Sequence, residues 1–201
     1  MGLISNGTTI FDNGVVNAGG SMTFISKATA SASASIEFTS GIDSTYKEYI
    51  FYFVNMHPAS DAGNFEFNLS TDNGSNYNVT KTTTYFRAFH SEGGAGGVLQ
   101  YESGYDLAQG TGMARLSHDT GADADQNLCG YFHLFNPSST TFVKHFMFDS
   151  FHSGADGGAA NTKSAGYFNT TSAINAIDFK FFNATSNIDD GTIKLYGIKD
   201  S

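Results

Sequence analysis

The chain has no tryptophan, one cysteine and two prolines, and charged residues make up only 14% of its 201 positions, against ~25% in an average globular protein. Each shortage excludes something. A lone cysteine, Cys129, forms no internal disulfide, so this is not a disulfide-stapled scaffold. No stretch approaches the ~18 consecutive apolar residues of a membrane-spanning helix. The opening Met1-Gly2-Leu3-Ile4-Ser5-Asn6-Gly7 has neither the basic start nor the apolar run of a secretory signal, and none is expected. Disorder is excluded as well. Hydrophobic residues reach 40%, with 19 Phe and 10 Tyr, enough apolar surface to offset chain entropy.

Ten basic residues against 19 acidic ones give a net charge of −9. Such a surface repels phosphate backbones and anionic lipid, so neither nucleic acid nor membrane is an expected partner. Solubility rests instead on Ser, Thr and Asn, as in Ser31-Ala32-Ser33-Ala34-Ser35 and Thr80-Lys81-Thr82-Thr83-Thr84. Secreted adhesins and virion proteins frequently have such neutral, hydroxyl-rich exteriors.

Residues 1–30 read differently from the rest. The turn signals Asn6-Gly7, Asn13-Gly14 and Gly19-Gly20 separate short apolar pieces, Ile10-Phe11 and Val15-Val16, too little to build a core. An extended N-terminal arm that packs against something else is expected over 1–30, and one folded domain over 31–201. In that domain the dominant period is two. Ile36 and Phe38 alternate with polar residues, as do Phe65, Phe67 and Leu69. Lys47–Val54 is nearly continuous and aromatic, the pattern of a strand buried on both faces. Asp72-Asn73-Gly74-Ser75 is a hairpin signal, because Asn-Gly tolerates the positive φ of a type I′ turn. Further strands are expected over Val79–His90, Val98–Glu102, Leu128–Phe135, Phe142–Phe151, Gly166–Asn169, Ala176–Phe182 and Thr192–Ile198. In the last, Ile193, Leu195 and Gly197 share one face. The best helical candidate, Leu107–Leu116, is interrupted by Gly110 and Gly112, each costing up to ~1 kcal/mol in a helix interior. About nine to eleven strands make an all-β, antiparallel, jelly-roll-like β-sandwich. The longest loops are expected at His90–Gly97, Leu107–Gln126 and Ser153–Ser164.

Candidate chemistry is thin. His133, His145 and His152 lie in aromatic surroundings, but their spacing matches no zinc pattern. His57 precedes Pro58 in an expected turn, Asn55-Met56-His57-Pro58. Glycoside hydrolysis needs two carboxylates ~5–9.5 Å apart. Asp61, Glu66, Glu102, Asp106, Asp149 and Asp178 are the available members, and no spacing selects a pair. No nucleophile elbow and no His-Glu-x-x-His occur. Asp72–Asn76 and Asp123-Ala124-Asp125 offer three or four oxygens where Ca²⁺ takes ~6–8. Tyr77, Tyr85, Tyr101 and Tyr105 near loops supply ingredients for sugar stacking, although loop anchoring is the simpler role. Sequons occur, for example those that begin at Asn78 and Asn183. No catalytic, cofactor-binding or metal-binding residue is assigned, no cofactor is expected, and ligand-binding residues stay unassigned.

Several stretches carry a resemblance. They are Met1–Asp12, Gly20–Ile25, Asp43–Tyr49, Asn55–Pro58, Ser75–Ala88 and Leu134–Thr140, then Ala165-Gly166-Tyr167-Phe168-Asn169-Thr170-Thr171-Ser172 and Gly191-Thr192-Ile193-Lys194-Leu195-Tyr196-Gly197-Ile198-Lys199. Together these resemble a family of small β-rich virion structural proteins of tailed phages, especially those of marine bacteria. The resemblance implies a non-enzymatic structural protein on the virion surface, either a capsid decoration or a head- or tail-fibre component. It implies assembly in the host bacterial cytoplasm and partners among capsid or tail subunits, with a homo-oligomer, for instance a trimer, expected from symmetric surroundings. It implies no catalytic residues. The alternative is a receptor-binding tail module that recognises host surface glycans. Lys81, Arg87 and Lys163 supply cations near the loops, few anchors for tight recognition.

Overall fold

The structure, a computed structural model, describes residues 21–182 and 187–200 together with the backbone of 3–5, 8–12 and 15–16. Three short strands come first: β1 (Leu3–Ser5), β2 (Thr8–Asp12) and β3 (Val15–Val16), paired in that order as an antiparallel meander. The Asn-Gly and Gly-Gly turns expected between and after them lie outside the described residues.

The rest is an antiparallel sandwich. Its strands are β4 (Met22–Thr29), β5 (Ile36–Phe38), β6 (Glu48–Pro58), β7 (Asn64–Ser70), β8 (Lys81–Ser91) and β9 (Val98–Tyr101). They continue with β10 (Ala114–Arg115), β11 (Leu128–Phe135), β12 (Lys144–Ser153), β13 (Gly158–Phe168), β14 (Ala176–Phe182) and β15 (Ile188–Ile198). The large sheet runs β4-β15-β6-β11-β12-β13-β8-β9 and the small one β10-β7-β14-β5. Strands β4 to β7 alternate between the two sheets. The returning ribbon β14–β15 then inserts β15 between β4 and β6 and β14 between β5 and β7. Strands β10 and β11 flank the same stack, beside β7 and β6. This nested path is that of a jelly roll. Strands β8, β9, β12 and β13 are additions that widen only the large sheet. No helix among the described residues is long and apolar enough to cross a membrane.

Period-two alternation fills the core. Tyr49, Phe51 and Phe53 of β6, with Phe132 and Phe146 of β11 and β12, meet Phe65 and Phe67 of β7 and Phe179 of β14, all fully or almost fully buried. Ring centroids lie 4.7 Å apart for Phe67–Phe132, 5.1 Å for Phe53–Phe179 and 5.2 Å for Phe146–Phe168. Each such pair adds about 0.5–1.5 kcal/mol beyond its area burial.

Five expectations need correction. Met22–Thr29, read from sequence as arm, is an edge strand paired with β15 from Thr29↔Thr192 to Met22↔Ile198, so the sandwich begins before residue 31. The run at 47–54 is buried on one face only: Tyr49, Phe51 and Phe53 point inward while Glu48, Ile50 and Tyr52 are half-buried and Val54 is exposed. Asn55–Pro58 is not a turn but the end of β6, where Asn55 at φ 52° makes a bulge and Pro58 sits at the strand terminus that tolerates its missing N–H. The turn at Asp72–Ser75 forms, with Asn73 at φ 59° and Gly74 at φ 87°, yet β7 and β8 on either side of it enter opposite sheets instead of pairing as a hairpin. Ser153–Ser164 is no loop, because most of it is β13, paired with β12 and β8 along its full length. Its inward residues, Gly158, Ala160, Thr162 and Ser164, are small because neighbouring rings lie across them, so no apolar alternation marks the strand. A Cβ on Gly158 would meet the Phe89 ring.

Candidate functional site

The outer face of the large sheet carries the most unusual surface. Register brings one residue from every strand into a single row: Lys27 opposite Lys194, Lys194 opposite Tyr52, and Tyr52 opposite Tyr131. The row continues from Tyr131 to Asp149, Lys163, Phe86 and finally Tyr101. Beside it Phe24 packs against Tyr196 at 5.5 Å, Tyr196 against Tyr52 at 5.8 Å, and Tyr52 against Tyr131 at 6.4 Å. An aromatic path therefore crosses β4, β15, β6 and β11. Phe24, Phe86, Tyr101, Tyr131, Met147 and Phe151 are all exposed.

Along β13 this face sinks into a trough, because the outward residues of that strand include Ala159 and Ala165 between the larger side chains of β12 and β8. Three consecutive hollows of about 510, 210 and 460 Å³ follow the strand. Phe151 and His90 border the first, Tyr131, Phe86, Asp149 and Lys163 the second, and His145 and Tyr167 the third. Polar groups on the floor hold one another. Asn161 Nδ2 donates to Asp149 Oδ1 at 2.6 Å and to the Ser150 carbonyl at 2.8 Å, and Lys163 pairs with Asp149 Oδ2.

A second cluster lies at one end of the sandwich, where the loop before β11 meets the β12–β13 turn. Arg87, His118, Asp119, His152 and Asp156 border a recess of about 140 Å³. Arg87 Nε is 2.9 Å from Glu102 Oε1 and its Nη1 3.4 Å from His118 Nδ1, while Tyr105 stacks on His118 at 4.8 Å and takes the Arg115 guanidinium over its ring at 4.1 Å. Burial pushes His152 down to about 4 and raises Asp119. His152 Nε2 lies 2.8 Å from the His118 carbonyl, and its buried Nδ1 has no partner.

The structure does not gather the residues singled out from sequence. His133 pairs with Glu48 at 2.9 Å and stacks on Phe135, His145 leans on Tyr167, and His152 faces inward. His57 lies between the Asp123 carbonyl at 3.3 Å and Asp189 at 3.6 Å. Of the carboxylates, Asp61 accepts the Ala122 N–H, Asp106 accepts the Tyr101 hydroxyl, and Glu66, raised by burial, sits 3.6 Å from Arg115. Asp72 is drawn down to about 2 because Asn76 and Ser70 hydrogen-bond it, so its oxygens close a turn. Among the described residues no group of three or more His, Cys, Asp or Glu converges to hold a metal ion. Tyr85 is wholly buried and Tyr105 anchors its loop, the bland role expected of them.

Sequence reasoning missed the row across the outer face and the recess around Asp119. Alternation at 48–54 was the available signal for the first. The second depends on contacts between residues 87, 118 and 152, which no local pattern encodes. The chain matches no protein-family model, no curated protein and no solved structure.

Proposed function

We propose that this chain is a non-enzymatic structural protein on the surface of a tailed-phage virion, serving as a capsid decoration or as a head- or tail-fibre component. The observation that carries the reading is the outer face of the eight-stranded sheet, where exposed Phe24, Phe86 and Tyr131 continue into the aromatic path through Tyr52 and Tyr196. Contiguous apolar surface of this kind marks a contact site. Strands β4 and β9 lie at the two ends of that sheet, and among the described residues their outer edges offer unpaired backbone groups for strand addition. Several groups with strongly shifted pKa also act as ties. Buried Lys81, for example, joins Asn68 Oδ1 to the carbonyls of Val79 and Gly112 at 2.7–2.9 Å. The resemblance to phage virion proteins supplies the setting, with other capsid or tail subunits and further copies of the chain as partners, and with residues ahead of β4 acting in assembly.

Cryo-electron microscopy of the particle tests this. A regular lattice on the head shell, or a repeating position along a fibre shaft, is expected. A second reading, a tail module that recognises host glycans, is favoured by the trough along β13. A position confined to the distal fibre tip, with free protein blocking adsorption to host cells, would replace the first reading by the second.

A further inference from the structure

The trough along β13 has features that together select a ligand chemistry. Its backbone is closed, since β13 is hydrogen-bonded to β12 on one side and β8 on the other, so an extended peptide cannot add there as a strand. Its floor is neutral. The one carboxylate lining it, Asp149, is paired with the one cation, Lys163, so the floor offers a polycation no free carboxylate, and the chain's net charge of −9 disfavours a polyanion. The walls expose rings where solvent would disfavour them: Phe151 is 63% exposed and Tyr131 38%. The hollows span Ala159 to Tyr167, roughly 26 Å at ~3.3 Å per residue.

We propose that this trough binds a neutral, linear oligosaccharide, with Phe151, Tyr131 and Phe86 as stacking platforms and Asp149, Asn161 and Lys163 as the hydrogen-bonding floor. A pyranose ring has one face of C–H groups, which packs on an aromatic ring, and a rim of equatorial hydroxyls. Adjacent hydroxyls match planar carboxylate and amide groups, each hydroxyl both donating and accepting. The floor is held before any ligand arrives. Asn161 Nδ2 is fixed by Asp149 and the Ser150 carbonyl at 2.6 and 2.8 Å, so little side-chain entropy is lost on binding. The inference deepens the glycan-recognition reading by naming the ligand and its contacts, and rests on that reading only for the biological setting.

The test is titration of the isotope-labelled full chain with the hexasaccharides of β-1,4-glucose, α-1,4-glucose and β-1,4-N-acetylglucosamine, and with hexagalacturonate as an anionic counterpart. At least one neutral hexasaccharide is expected to shift amide resonances confined to β8, β12 and β13. Phe151→Ala and Tyr131→Ala should each weaken it about tenfold or more, and Asp149→Asn should weaken it as well. Phe151 projects into solvent, so its variant keeps the wild-type unfolding temperature even if the others do not. Several outcomes overturn the proposal: no shift with any neutral sugar, shifts elsewhere on the chain, or tighter binding of hexagalacturonate. It is also overturned if the trough is covered by a second copy, revealed by an oligomer mass that Phe151→Ala reduces. Binding that fails to block adsorption to host cells would remove the receptor role and leave the site standing.

Discussion

Glu37 and Asp178 stand directly opposite one another on β5 and β14, two carboxylates with very different access to water. Glu37 is exposed and accepts the Tyr77 hydroxyl at 2.9 Å. Asp178 is buried with its Oδ1 unpartnered. Burial pushes Asp178 up to about 6; Glu37 reinforces the shift, while Lys180 and the Ser35 hydroxyl oppose it.

The sign of the resulting pH dependence follows from linkage. A carboxyl raised from 3.8 to about 6 on folding binds a proton more tightly in the native state. Stability therefore falls as pH rises through that window, by about 3 kcal/mol. Asp178→Asn should raise the unfolding temperature at about pH 8 and leave it nearly unchanged near pH 4. Urea unfolding at both values checks this; equal effects at both would refute the assignment.

His152 works in the opposite direction. Its imidazole, held down to about 4 from 6.5 by burial, is neutral in the native protein, and the unfolded chain binds the extra proton. Stability is lost as pH falls from 6.5 through 4, by about 3 kcal/mol. The two slopes oppose each other in the wild type. His152→Gln should flatten the acid side and leave the Asp178 slope visible, a difference that denaturation midpoints across about pH 4–7 would register.

Lys81 is fully buried, and its ammonium is shared by Asn68 Oδ1 and two carbonyls. Asn68 in turn holds the Tyr77 and Thr111 carbonyls at 2.7 and 3.0 Å. Together they fasten two loops over the small sheet. Lys81→Ala should cost about 3 kcal/mol or more, because buried acceptors lose their donor. Thermal unfolding measures the loss, and limited proteolysis should show new cleavage within residues 107–113.

Deletion of residues 1–20 leaves β4 in place, whereas deletion of 1–29 removes it and uncovers β15. The shorter truncation is expected to keep the wild-type unfolding temperature and to lower the oligomer mass. The longer one should aggregate, since β15 becomes a long unprotected edge. Unchanged mass in the shorter variant would separate the N-terminal segment from assembly.

The sequence by itself determined the class of fold and much of its detail. Ile193, Leu195 and Gly197 were readable as one buried face of β15 because side chains alternate strictly along a strand. Asn73-Gly74 was readable as a turn because few other residues accept two successive positive φ angles. What the tertiary structure alone decided is what each face meets. The period that put Phe51 and Tyr52 on opposite faces of β6 could not say that Phe51 would be covered by Phe38 and Phe179 while Tyr52 would stay at the surface. Nor could it place Tyr46 over Gly197, where any Cβ would strike the ring. Of β13 only the end, within the expected strand Gly166–Asn169, was readable; the stretch before it was not, because its buried residues Gly158, Ala160, Thr162 and Ser164 are small, and their size is set by rings on β8 and β12. Likewise Glu37 and Asp178, or Asp149 and Lys163, become neighbours only through register between strands distant in sequence. Local chemistry fixes which way a side chain points, but long-range pairing chooses its partner, and that choice built both the Glu37–Asp178 pair and the trough.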